Sequence, residues 1–274
     1  MSGRALEARA SRDERVVGAP SSEKVLRDLS QAALDAENTQ EFARVYTAVN
    51  QTPGLTESGI APDVLDALLP DKEIIELPRV RRVSGSLPYR FVKRTFDICS
   101  CSVALILLAI PMAVIALKIK KESAGPVIYA QRRVGKNGRV FELYKFRSMY
   151  QDAEVHGARW AKDEDPRVTP LGRFLRNKRL DEIPQFWNVV RGDMSLIGPR
   201  PERPAFHKVF CERIHGLEQR VMVKPGITGL AQVEGGYDLL PKEKARIDIA
   251  YIESRSMRLD LGIVFRTIRT MISG

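Results

Sequence analysis

Ile98-Cys99-Ser100-Cys101-Ser102-Val103-Ala104-Leu105-Ile106-Leu107-Leu108-Ala109-Ile110-Pro111-Met112-Ala113-Val114-Ile115-Ala116-Leu117 is an uncharged run bounded by Asp97 and Lys118. About 20 consecutive apolar residues are what a helix needs to cross the hydrocarbon of a bilayer. A buried core helix rarely stays uncharged for so long, so membrane association is the reading. Pro111 removes a backbone donor inside the run and favours a kink. Arg90, Lys93 and Arg94 precede the run, and Lys118, Lys120 and Lys121 follow it. Basic residues mark the cytoplasmic side of a spanning helix, and here both flanks ask for that side. A helix that enters, bends at Pro111 and returns satisfies both, so a re-entrant helix is expected over residues 91–119. A kinked spanning helix is the alternative. Tyr89, Phe91 and Phe96 would sit at headgroup level.

Upstream, residues 1–80 read as a cytoplasmic helical extension, disordered over 1–20, with short helices over 22–35, 39–49 and 61–69. Val25, Leu26, Leu29, Ala32 and Ala33 recur at helical spacing, and Gln51-Thr52-Pro53-Gly54 breaks the pattern. Residues 81–90 read as a basic linker. Residues 91–274 then form one membrane-associated domain. Within it, Val127–Gln131 and Val140–Lys145 are β-prone and flank Gly135-Lys136-Asn137-Gly138, a hairpin signal. Leu171–Leu180 sets Leu171, Phe174 and Leu175 against Arg173, Arg176, Lys178 and Arg179. The last segment repeats this with Leu261, Val264, Phe265 and Ile268 against Arg258, Arg266 and Arg269. Such faces suit helices lying on an anionic membrane, or plain docking faces. The fold class is α+β and mainly helical: a re-entrant membrane helix, amphipathic interfacial helices, a small β-hairpin and an N-terminal helical extension.

Composition narrows the partners. The 274 residues are 44% hydrophobic, ample for a core, and the net charge of +10 asks for an anionic partner. No aromatic–basic interleaving on a nucleic-acid module is present, so nucleic acid is not expected. Cys99, Cys101 and Cys211 form neither a disulfide framework nor a zinc spacing, and suit a reducing compartment. His156, His207 and His215 are scattered, which argues against a histidine metal site. No early apolar core marks a cleavable signal peptide.

The chemistry centres on Asp181-Glu182. Adjacent carboxylates repel, so cations, a metal or a helix N-terminus must stabilise them. Pro184 suits a first helical turn, which would put the pair at the start of a helix running to Val190. Arg176 lies upstream, and Arg200 follows on the turn Gly198-Pro199-Arg200-Pro201. Alone, the pair reads equally as an N-cap with a favourable first-turn charge.

Its company resembles a known family. Lys93-Arg94-Thr95-Phe96-Asp97, Gln131-Arg132-Arg133-Val134-Gly135, Tyr144-Lys145-Phe146-Arg147-Ser148-Met149 and Leu180-Asp181-Glu182-Ile183-Pro184-Gln185 are four of its motifs. Asn188 through Pro201 and Lys224-Pro225-Gly226-Ile227-Thr228-Gly229-Leu230-Ala231-Gln232-Val233 complete the set. In this order they resemble the bacterial sugar transferases, the monotopic phosphoglycosyl transferases. The resemblance covers about Phe91 to Ser273, leaving the first 80 residues outside it.

The resemblance implies transfer of a sugar-1-phosphate from a UDP-sugar to polyprenyl (undecaprenyl) phosphate, with release of UMP. It implies Asp181 as nucleophile, Glu182 as its support, and Mg²⁺ held at Asp181 and Glu182. Lys145, Arg147, Arg176 and Arg200 are the candidates for phosphate contacts, since arginine makes bidentate ones. The expected location is the cytoplasmic face of the bacterial inner membrane, in contact with membrane lipid. Homo-oligomerisation through the N-terminal extension is compatible with this. Two departures stand out. Members often carry Ser-Pro at the membrane-helix break, where this chain has Ile110-Pro111. Many carry Gly and then a basic residue after the last motif, where this chain has Glu234-Gly235-Gly236-Tyr237-Asp238. A hexose or an N-acetylated sugar is compatible with the donor. The competing reading is a membrane-anchored, non-catalytic adaptor with a basic surface, which would not need Asp181 or Glu182.

Overall fold

The computed structural model describes Ile60 and residues 62–70, 73–151, 153, 165–235 and 239–273, all within the unit Glu41–Gly274. The helices expected over 22–35 and 39–49 and the disorder expected over 1–20 lie outside the described residues. The described part is mostly helical, with strands in three two-stranded pairs.

Helix α1 (Pro62–Leu68) and strand β1 (Ile75–Glu76) come first. β1 runs parallel to β5 (Ile214–His215). Ile60 and Leu77 are buried in a core with Phe206, Phe210, Leu217 and Ile249, from the helices α6 (Pro204–Arg213) and α8 (Pro241–Ser254) and the turn between. The linker expected over 81–90 is therefore corrected. Its first half is held down, with Arg81 N donating to Glu253 and Ser84 N to the Ile252 carbonyl, while Val80 and Val83 pack against a core cluster. Its second half already belongs to the next helix. Apolar residues spaced between the arginines outweigh a basic, Gly- and Pro-containing composition.

That helix, α2 (Leu87–Leu107), begins at Ser86, whose hydroxyl accepts from Tyr89 N at 3.4 Å, with Pro88 in the first turn. It breaks at Leu108, and α3 (Ala109–Glu122) leaves at an angle of 61°. The bend falls three residues before Pro111 and not at it. The N–H that proline lacks would have bonded the Leu107 carbonyl, and the ring clashes there. No single helix among the described residues is long and apolar enough to cross a membrane; the bent pair passes that test by length and composition. Ile106, Leu107 and Ile110 are each more than 70% exposed at the bend, the kind of contiguous apolar patch that soluble surfaces seldom carry.

The opposite face of α2 is polar and buried. Lys93, Asp97 and Cys101 recur every four residues along it. Strands β2 (Ile128–Val134) and β3 (Val140–Phe146) pair antiparallel from Ile128↔Phe146 to Val134↔Val140. The expected hairpin is thus present, each strand slightly longer than the β-prone run. Helices α4 (Pro170–Asn177) and α5 (Gln185–Arg191) follow, then β4 (Ser195–Ile197), which runs parallel to β6 (Gly226–Thr228). The short α7 (Leu230–Glu234) precedes α8, and α9 (Met257–Ser273) closes the chain.

Candidate active site

Thr169 accepts from Gly172 N at 2.9 Å and starts α4, with Pro170 in its first turn. The helix ends beyond Lys178, where Arg179 adopts the left-handed region at φ 54, ψ 21. A non-glycine residue there costs about 1–2 kcal/mol, and it turns the chain sharply into a 3₁₀ turn, Leu180–Glu182. Asp181 and Glu182 lie on that turn, one turn ahead of α5, and Pro184 caps α5 from outside. This moves the pair from the expected start of the helix to a separate turn just ahead of it. Without an N–H, Pro184 cannot close a regular first turn, and Glu182 N and Ile183 N bond three residues back, to Arg179 and Leu180.

The dyad is buried among cations. Glu182 Oε1 accepts from Lys145 Nζ at 2.7 Å and from Arg200 Nη2 at 2.6 Å. Asp181 Oδ2 lies 3.8 Å from Lys145 Nζ, and among the described residues its carboxylate accepts no hydrogen bond. Lys145 points inward because it continues the face of β3 that buries Phe141 and Leu143 at alternate positions. Asn188 fixes the register between that strand and α5: its Nδ2 donates to the Glu142 carbonyl at 2.7 Å and its Oδ1 accepts from Tyr144 N at 3.0 Å.

Arg200 arrives from a different direction. Gly198 and Gly226 let two segments pass backbone to backbone. A Cβ on Gly226 would come within 2.1 Å of Gly198 N, and one on Gly198 within 2.4 Å of the Lys224 carbonyl. This close approach explains why the segments at 198–201 and 224–229 both need glycine, and it sets where Arg200 leaves the turn.

Of the four expected phosphate contacts, the structure gathers Lys145 and Arg200 onto the dyad. Arg176 donates from Nε to Ser148 Oγ at 2.8 Å, and its charge lowers the Asp181 pKa. Arg147 is placed elsewhere: its guanidinium donates to the carbonyls of Ser123 and Ala124, each at 2.7 Å, just past the C-terminal end of α3. The end of a helix, with its unpaired carbonyls and negative dipole, claims this arginine.

The two carboxyls are driven apart in acidity. Burial raises both, but around Glu182 the charges and hydrogen bonds of Arg200 and Lys145 prevail and hold it well below the usual carboxylate range. For Asp181 burial prevails, reinforced by Glu182, over the opposing charges of Lys145, Arg176 and Arg200, and its pKa is raised. Neighbouring acids split in this way are suited to different roles. Two adjacent carboxylates also fit Mg²⁺, which takes one or two protein carboxylates and fills its shell with water and substrate phosphate. Among the described residues no cluster of three or more His, Cys, Asp or Glu offers a fuller protein cage.

Three residues of α2 serve the site without any sequence reading of their roles. Arg94 donates to the carbonyls of Val189 and Val190, at 2.7 and 3.0 Å, at the end of α5. Asp97 accepts from Ser195 Oγ at 2.7 Å and Leu196 N at 3.2 Å at the start of β4. Lys93 is paired with Asp260 of α9 at 2.9 Å. In the sequence, Lys93 and Arg94 read as the basic flank of the apolar run and Asp97 as its boundary; membership of one motif was the one signal that they do more.

Known proteins share the sequence that carries this site. The family described as "Bacterial sugar transferase" matches residues 88–274. The chain is 48% identical over 189 residues to the UDP-N-acetylgalactosamine-undecaprenyl-phosphate N-acetylgalactosaminephosphotransferase of Aeromonas hydrophila, covering 68% of this chain and 45% of that protein. It is 35% identical over 213 residues to the undecaprenyl-phosphate galactose phosphotransferase of Salmonella typhimurium, covering 72% and 44%. A putative undecaprenyl-phosphate N-acetylgalactosaminyl 1-phosphate transferase of Bacillus subtilis is 52% identical over 134 residues, covering 48% and 74%. The chain spans less than half the length of the first two relatives. On the match over 88–274, which contains the whole site, the chain belongs to the bacterial sugar transferase family.

Proposed function

We propose that this chain transfers a sugar-1-phosphate from a UDP-sugar to polyprenyl phosphate, releasing UMP through a covalent intermediate on Asp181. The observation that carries the reading is the asymmetry of the dyad: Glu182 is locked by two cations, while Asp181 accepts no hydrogen bond among the described residues. An unengaged carboxylate beside fixed positive charge is what attack on a diphosphate requires. An oxygen of Asp181 attacks the β-phosphorus of the nucleotide sugar. Its O–P bond forms as the bond to the bridging oxygen breaks, and UMP leaves with the electron pair. A phosphate oxygen of the acceptor then attacks the same phosphorus and displaces the Asp181 carboxylate, leaving a polyprenyl diphosphate sugar. Lys145, Arg200 and, at longer range, Arg176 offset the charge that gathers there. Asp181 and Glu182 would hold Mg²⁺, which when bound neutralises the diphosphate.

The names of the relatives, which give undecaprenyl phosphate as acceptor and UDP-sugars as donors, support the substrate classes. The bent α2–α3 pair and the outward Phe174, Trp187 and Phe265 support a seat in the cytoplasmic leaflet, α4 and α9 lying at the surface. The test is UMP release by the full chain in nanodiscs with Mg²⁺, undecaprenyl phosphate and a panel of UDP-sugars. Release with one sugar, abolished in Asp181→Asn, is expected. Release that persists in Asp181→Asn overturns the nucleophile assignment, and silence across the panel overturns the donor class.

A further inference from the structure

Four consecutive carbonyls on the turn that carries Arg200 are claimed by donors from three other segments, two of them by adjacent residues of β2. Pro199 O accepts from Gly226 N at 2.9 Å and Glu202 O from Val134 N at 2.9 Å. Pro201 O accepts from Arg133 Nη1 at 2.8 Å, and Arg200 O from Arg220 Nη2 at 3.2 Å. Arg220 is itself buried, and its Nε donates to Asp248 Oδ2 at 2.7 Å while Nη1 lies 3.5 Å from Glu202 Oε1. Arg220 thus serves the buried Asp248 and the half-buried Glu202 with part of its fork, and its remaining buried Nη2 is satisfied by the carbonyl of the residue whose side chain grips Glu182.

We propose that Arg220, anchored by Asp248, is a positioning residue for the dyad: it fixes where the Arg200 guanidinium meets Glu182. Asp248 on α8 holds Arg220, Arg220 holds the Arg200 backbone, and the Arg200 side chain holds Glu182 at 2.6 Å. The planar fork of arginine suits this task, since N–H groups on different edges can serve a carboxylate and a carbonyl in fixed directions. The next residue back is held from outside the family-matched region. Gln219 Oε1 accepts from Val80 N, and Gln219 Nε2 donates to the Pro78 carbonyl at 3.2 Å. The segment ahead of residue 88 thereby locks the turn on which Arg220 stands.

This positioning role rests on the proposed transfer reaction for its kinetic reading, so the experiment has two arms on the full chain in nanodiscs. In the first, UMP release is compared for wild type, Arg220→Lys, Arg200→Lys and the double variant. Lysine keeps the charge of Arg220 but cannot bond Asp248 and the carbonyl together. We expect Arg220→Lys to lower kcat by about tenfold with KM for the UDP-sugar within about threefold, and to add less than about threefold to the loss in Arg200→Lys. A kcat near wild type, or losses that multiply in the double variant, overturns the proposal. The second arm needs no turnover and reads thermal unfolding of wild type, Arg220→Lys, Glu182→Gln and their double variant. Arg220 and Glu182 share no hydrogen bond or ion pair, so a purely local role for Arg220 gives additive midpoint shifts and overturns the proposal. A shift smaller than the sum supports it. Wild-type silence in the first arm bears on the transfer reading alone, because the second arm still decides the relay.

Discussion

Replacing Asp260 by alanine tests how α2 is fastened to α8 and α9. Asp260 is 2% exposed, and its carboxylate accepts from Tyr89 Oη at 2.8 Å, Lys93 Nζ at 2.9 Å and Tyr251 Oη at 2.8 Å. Alanine strands the Lys93 ammonium, itself 9% exposed, leaves the Tyr89 phenol short of an acceptor and leaves Tyr251 Oη only the Ile197 carbonyl at 3.3 Å. Removing one member of a buried ion pair costs about 3–5 kcal/mol. Each hydrogen bond to a charged group is worth about 1.5–3 kcal/mol. The three bonds share one carboxylate and do not add, so the lysine sets the floor and the expected loss is about 4–6 kcal/mol. Against a total stability of about 5–15 kcal/mol that is a large share. The companion is Lys93→Met with Asp260→Asn, which removes both charges while keeping an acceptor; it is expected to recover at least about half of the loss, because removing both partners costs less than stranding one. The assay is denaturant unfolding of the full chain in nonionic detergent, comparing midpoints at constant slope. An Asp260→Ala loss below about 1 kcal/mol would refute the reasoning, since no buried unpaired charge is that cheap. So would a further loss on adding Lys93→Met to Asp260→Asn.

Three other outcomes are expected. Because the Glu182 carboxyl is held below its ordinary range, its contribution to stability is complete above that range and drains as pH falls through the folded value. In Lys145→Met one of the two cations is gone, so the folded value moves back toward the ordinary range. In thermal unfolding across acidic pH the decline starts at the same pH as in wild type but is smaller in total and levels off at higher pH; an unchanged total decline contradicts the clamp. Gly226→Ala drives a Cβ toward Gly198 N, a backbone atom that cannot swing aside. It should cost about 1–3 kcal/mol and reduce UMP release with Arg200 displaced, and a variant with wild-type midpoint and rate would show that the close approach is not required. Arg147→Met removes the donors that close the end of α3 and should lower stability by about 1.5–3 kcal/mol with KM for the UDP-sugar within about twofold of wild type. A tenfold rise in KM at unchanged stability would return Arg147 to the substrate site.

What could be read in the sequence was local. Gly135-Lys136-Asn137-Gly138 announced the hairpin because its turn needs positive φ, and Asn137 and Gly138 adopt 55° and 78°. The bend in the apolar run was legible in kind and misplaced by three residues, since proline disrupts the turn before it and not its own position. The stretch 81–90 misled because its anchors, Ile252 and Glu253, lie some 170 residues away in sequence and leave no mark on local composition. Arg147 and Arg200 were both candidates for phosphate contacts, Arg200 on the turn that follows the dyad's helix and Arg147 in a separate motif. Which of them meets the dyad depends on where the end of α3 comes to rest, and no spacing encodes that. Asp181 and Glu182 were legible only through their company, because a carboxylate pair before a helix is ordinary.

The buried face of α2 has a consequence for where chemistry can occur. Arg94 grips the C-terminal carbonyls of α5, where the helix dipole favours a cation. Asp97 grips the first residues of β4, the strand that leads to Arg200. Cys101 packs into the cluster of Phe141, Leu143, Val189 and Met194, which joins β3 to α5. Lys145 comes from β3, Arg200 from beyond β4, and the dyad itself immediately precedes α5. The segments that carry Lys145, Arg200 and the dyad are therefore tied to one face of one helix, whose continuation presents Ile106, Leu107 and Ile110 outward. Under the proposed transfer reaction, which takes one substrate from water and another from lipid, this wiring would make the height of Asp181 follow the depth at which α2 seats its apolar end, and the 61° break would keep that end from carrying the polar half across.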